Sequence, residues 1–160
     1  MKKICGALIL LAGFGLAALA DGLPDRQACQ KAIASFVAEP LGPDSISQAN
    51  TIVVFAKMSK VVTVEFSPES LPWLIDPLKA DTKSRLLAAF VAGSVQSQLD
   101  NHVNKDDRYA GWLSLISVYN QLKAADVKVT VPSIEKMAAL EKKGQLKQFL
   151  ATASTPTTKH

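Results

Sequence analysis

The sequence predicts a mainly α-helical protein, a small bundle centred on an antiparallel helix pair. Apolar residues recur at helical spacing over most of the chain beyond residue 24. The two longest such stretches, about residues 82–100 and 107–122, are joined by a short polar turn, so the helices must run antiparallel. Only two short segments, 61–66 and 127–131, alternate with a period of two.

Ahead of this domain stands an export leader. Lys2 and Lys3 form a basic head, Ile4 to Leu16 is an almost unbroken apolar run, and Ala18-Leu19-Ala20 is a small-x-small site before Asp21. That three-part pattern predicts a secretory signal peptide over 1–20, cut between Ala20 and Asp21. A retained membrane anchor is the alternative, but a spanning helix needs about 20 apolar residues and this run reaches that only through its small-residue end. Cys5 lies at the head of the run, not at the cut, so it does not mark a lipid attachment site. Organisation follows: a cleaved leader over 1–20, one helical domain over 21–151, and a disordered tail over 152–160, which has no large apolar residue. The expected location is the periplasm or the outside of the cell.

Lys2 and Lys3 leave with the leader, so 18 basic residues become 16 against 14 acidic, and the formal net charge falls from +4 to +2. The apparent basicity is partly a targeting feature and gives no argument for a nucleic-acid partner. Cys29 remains as a single free thiol, so no internal disulfide can form. Its neighbours Ala28, Ala32 and Ile33 predict burial on an apolar helix face.

Taken in order, Pro24 is expected to open a first helix running to Ala38 through Cys29, Ile33, Phe36 and Val37. Pro40, Gly42 and Pro43 break the chain. Ser45, with Gln48 in capping-box register, restarts it towards Ser59. Val61 to Phe66 then reads as extended, and the sequence leaves open whether 61–66 pairs with 127–131 as a minor two-stranded β ribbon or both are connectors. A proline-rich loop follows from Ser67 to Pro77, held by Leu71, Trp73, Leu74 and Ile75. Asp81 is expected to cap the first long helix, whose apolar face carries Leu86, Leu87, Phe90, Val91, Val95 and Leu99. Asp106 or Asp107 caps the second, with Tyr109, Trp112, Leu113, Ile116, Tyr119 and Leu122 on its face. Gly93 and Gly111 interrupt these helices at a cost of about 1 kcal/mol each against alanine, which close approach of the two helices would explain. Pro132 starts a short helix that Gly144 closes in a left-handed cap, and Leu146, Phe149 and Leu150 form a last turn or two.

No motif names a chemistry. The histidines are His102, in the turn, and His160, in the tail. Ser94 lacks the glycine pattern of a nucleophile elbow and lies inside a helix. The turn from Asp100 to Asp106 places oxygen-bearing side chains at alternate positions, but Lys105 and Gly111 stand where a calcium loop needs glycine and glutamate. There is no phosphate loop, CxxC or HExxH. No catalytic residue, cofactor or metal is therefore assigned.

Two classes of function are carried forward. The first is a non-catalytic binding module of the bacterial envelope, whose partner is another envelope or secreted protein, with Trp73 and Tyr109 as candidate contact residues and no integral membrane anchor after cleavage. The second is a small hydrolase-like periplasmic enzyme with a site of ordinary carboxylates or serines, recognisable only by geometry. A peripheral membrane role finds little support in a net charge of +2 and ordinary helix faces.

Overall fold

Helix α1 (Arg26–Ala38) is opened by Asp25, whose carboxylate accepts from the Ala28 amide at 2.7 Å. Pro24 therefore stands just outside the helix, and the side-chain cap is the residue after it. The computed structural model describes residues 23–67, 70–126 and 129–153. Residues 1–20, with the cleavage point Ala20 and Asp21, lie outside that range, as do 154–160 of the expected tail.

Five further helices follow: α2 (Ser45–Met58), α3 (Ala80–Asn101), α4 (Arg108–Ala125), α5 (Pro132–Lys142) and α6 (Leu146–Ala153). Pro72–Ile75 makes one 3-10 turn in the proline-rich loop. Thr152 and Ala153, expected in the tail, belong to α6. The result is an all-α bundle, with no strand among the described residues.

Polar side chains reveal how the helices run. Arg85, early in α3, donates from Nε to the Pro40 carbonyl at 2.9 Å and from its Nη2 to the Ser45 hydroxyl at 3.3 Å. The hydroxyl expected to cap α2 is thus buried against α3, and Asp44 stands at the cap position without a side-chain bond. Arg26, at the start of α1, donates to the Leu99 carbonyl at the end of α3, and Gln121, late in α4, donates to the Val37 carbonyl late in α1. Helices α1 and α4 are therefore parallel to each other and antiparallel to α2 and α3.

The centre is the α3–α4 pair, as the sequence predicts. A Cβ added to Gly93 would lie 2.2 Å from the Ala110 carbonyl oxygen, and one on Gly111 would lie 2.8 Å from the Phe90 ring. The glycines let the two backbones touch. Phe90 fills the seam edge-on to Trp112, with ring centroids 6.2 Å apart at 83°. Asp107 caps α4 through the Ala110 amide at 3.0 Å. At the start of α3, Asp81 is a first-turn residue and not the cap, since the helix begins at Ala80.

Of the two readings open for 61–66 and 129–131, a ribbon or connectors, the described residues show no strand, and two side-chain clamps hold the backbone. Thr63 donates its amide to the Gln98 side-chain oxygen at 2.9 Å, and the Gln98 amide returns a bond to the Thr63 carbonyl at 2.8 Å. A single α3 glutamine thus makes the two bonds a partner strand would have made. On the other side, the Tyr119 hydroxyl accepts from the Val131 amide at 3.1 Å and donates to Glu135, which also pairs with Lys123. Residues 127 and 128 lie outside the described range; the Val129 amide bonds back to the Asp126 carbonyl at 3.0 Å, and Val131 is extended but fixed to α4.

Gly144 closes α5 at φ 67°, with the Gln145 amide reaching back to the Leu140 carbonyl at 2.9 Å. This is the left-handed cap that glycine adopts at no steric cost. Helix α6 then docks through Leu146 and Leu150, both buried.

Candidate functional site

Two features carry polar chemistry or open space, and both draw on α3. The first is a trough of about 790 Å³ between α1 and α4. Its walls come from helical repeats: Ile33 and Val37 on α1, and Ala110 and Leu113 on α4. On the α3 side it is lined by Ala92, Gly93, Gln96, Ser97 and Asp100. Gln30, Gln96 and Asp100 stand at one end, where the Gln96 amide donates to the Asp100 carboxylate at 2.8 Å. No cation lines it. A second hollow of about 270 Å³ at the α1–α2 turn falls below the usual size of a small-molecule site, about 300–1,000 Å³.

The trough also locates a departure from the expected core. Leu113 sits on the predicted apolar face of α4 but is only partly buried, because α1 does not close over it. Leu87, on α3, is likewise partly buried. Both are apolar positions at core spacing that the fold leaves open on one side.

The second feature is a buried polar network at the α3–α4 junction. Ser94 and Gln98 are buried on α3. The Ser94 hydroxyl donates to the Asp106 carboxylate at 2.7 Å and accepts from the Gln98 side chain and the Asp107 amide, at 3.0 and 3.2 Å. Desolvation pushes the Asp106 carboxyl above its ordinary range, opposed by the Ser94 hydroxyl and the Glu65 backbone, with the Glu65 charge pushing it further up. Ser97 donates to Asp107 at 2.6 Å, and the Asn104 side chain ties the turn to Lys60 and Thr63. A serine hydroxyl on a carboxylate is half of a nucleophile arrangement. Here the hydroxyl is closed off from solvent and its hydrogen-bonding capacity is used. The network fastens the turn and the 61–66 segment to α3.

The remaining sequence candidates are dispersed. Trp73 is fully buried, so the proposed contact residue of the proline-rich loop is a core residue and presents no surface. Tyr109 is partly exposed in the first turn of α4, under the Lys147 ammonium at 5.8 Å. Cys29 is fully buried, and burial pushes its thiol up to about 12, a poor nucleophile. His102 is exposed, at φ 54° as the left-handed cap of α3, so it shares no surface with that thiol. The oxygen-bearing side chains of the Asp100–Asp106 turn are committed to Gln96, Lys60, Thr63 and Ser94. Among the described residues, no three His, Cys, Asp or Glu side chains gather as a metal site. Among the same residues, no helix is long and apolar enough to cross a membrane.

Sequence reasoning missed the trough. Its signal was present in part: Ala92-Gly93 on α3 and Ala110-Gly111 on α4 are paired small residues at the helix crossing. Which side of that crossing stays open depends on where α1 lands, and no single helix encodes that.

No family model, curated protein or solved structure matches the chain.

Proposed function

We propose that the protein is a non-catalytic binding module working outside the cytoplasm, and that the α1–α4 trough takes an apolar helix of another envelope or secreted protein. The observation that carries this reading is the trough itself: apolar side chains at helical spacing on two parallel walls, with Ala92 and Gly93 of α3 between them. A helix laid along α3 would bury Val37 and Leu113 and give α1 and α4 the neighbour they lack. Asp100 at one end, with no cation among the lining residues, favours a partner helix carrying lysine or arginine there. The leader over residues 1–20 supports the location.

The test is affinity capture from the envelope fraction of the host, comparing the exported protein with Val37→Gln and Leu113→Gln variants. A protein retained by the unaltered chain and reduced at least about tenfold by each substitution supports the reading. Equal retention by all three removes the trough from binding.

A further inference from the structure

The chain enters the fold at one end of the trough. Arg26, the first residue of α1, donates from its guanidinium to the Leu99 carbonyl at 2.8 Å, which sets the start of α1 beside Asp100. Gln30 and Asp100 are the trough residues at that end. The far end is bounded on α1 by Val37 and Ala38, with the exposed Glu39 just beyond. Along α1 the wall is open, for Ala34 and Ala38 are exposed and Val37 is only partly buried. Leu23, the first described residue, is 56 % exposed, an apolar side chain left uncovered where the chain arrives.

Residues 1–22 lie outside the described range, and their sequence matches the trough in length, polarity and charge. The apolar run Ile4–Leu16 has 13 residues, the same number as α1. Residues 17–22, ending in the turn-forming pair Asp21-Gly22, fall within the range of about two to eight that joins antiparallel helices. In a hairpin with α1, a helix over that run has Leu16 level with Arg26 and Ile4 level with Ala38. Its side chains, without a charge among them, then meet apolar walls that hold no cation. Lys2 and Lys3 come out beside Glu39 and the carbonyl end of α1, where positive charge is favourable.

We propose that, before cleavage, the leader occupies the α1–α4 trough of its own chain as an antiparallel partner of α1, and that the cut between Ala20 and Asp21 opens the trough. That cut falls in the connection and leaves the apolar run whole. Tethering at the mouth of the trough gives the leader an effective concentration that a free partner helix lacks. The trough then admits its partner only on the processed protein. The inference rests on the trough as a seat for an apolar helix. Capture from the envelope uses the exported protein, from which the leader is gone, so the leader can fail to dock while the partner still binds, and the reverse.

The leader carries its own probe, Cys5, which the hairpin sets level with Val37. The full chain is made in a membrane-free translation system, so that the leader stays on, as Val37→Cys, Ala38→Cys and Asn120→Cys variants, and is oxidised with copper phenanthroline. Asn120 adjoins Gln121, whose side chain donates to the Val37 carbonyl, so it stands at the same level but outside the trough. Cys29 is fully buried and does not compete. A disulfide from Cys5 within one chain is expected at least about tenfold faster at position 37 or 38 than at 120, read on non-reducing gels and by mass spectrometry of the joined peptides. Leu10→Asp with Leu11→Asp in the leader should abolish that preference. Rates at 37 and 38 no higher than at 120, a preference that survives the aspartates, or a wall disulfide that joins two chains overturns the inference.

Discussion

Helix α4 meets α3 and α1 in opposite ways. Against α3 the approach is so close that Gly93 and Gly111 leave no room for a methyl group, and Phe90 and Trp112 fill the seam. Against α1 the contact is slight, and the space between them is the trough. Gly93 takes part on both sides. It lets α4 settle on α3, and it also lines the trough beside Ala92. The difference separates apolar residues that hold the fold from apolar residues that the fold leaves available.

The seam should be the expensive place to alter. Phe90→Ala removes a fully buried ring and should cost about 3–5 kcal/mol in a denaturant titration. A loss below about 1 kcal/mol would mean that the seam is not the centre of the fold. Gly93→Ala should cost about 1–3 kcal/mol, because its methyl meets the Ala110 backbone and the helices must part, outweighing the gain of about 1 kcal/mol in helix propensity. A stabilised Gly93→Ala variant would contradict the close crossing.

The junction network sharpens the comparison through pH. Asp106 titrates above its unfolded range, so its ionised form costs stability at neutral pH, and that cost disappears as the pH falls below the ordinary carboxylate value. The Ser94 hydroxyl opposes the shift. Ser94→Ala should therefore raise the Asp106 pKa further and lose more stability at pH 7 than at pH 3, as read from paired denaturation curves and from NMR titration of the carboxyl. An equal loss at both pH values would show that the hydroxyl does not serve the charge.

Most of the helical architecture is legible in the sequence, and the exceptions share a physical cause. The α3–α4 hairpin, the Asp107 cap and the Gly144 cap rest on local patterns and appear where those patterns put them. Whether 61–66 pairs or serves as a connector is open in the sequence, because the bonds that hold its backbone and that of Val131 come from Gln98 and Tyr119, side chains on distant helices that look like ordinary helix positions. Ser45 matches a capping box, yet its hydroxyl is claimed by Arg85 from 40 residues away. Trp73 sits among prolines, as a surface residue would, but is fully buried. The trough is less legible still, since it is assembled from several elements.

The trough walls should be the least costly to alter. Val37→Gln and Leu113→Gln replace partly buried apolar side chains by a polar one that can reach solvent, and each should lower stability by less than about 1 kcal/mol. A cost approaching that of Phe90→Ala would place both residues in the core and remove the distinction between the two contacts of α4.

Site-specific photo-cross-linking in the host tests the account most directly. A photoreactive residue is placed in turn at positions 37 and 113, on the two walls, and at Asn120, an exposed position of α4 that does not line the trough. The predicted result is one and the same protein adduct from 37 and 113, and none from 120. Adducts from all three positions alike, or none from the walls, would contradict a binding role for the trough.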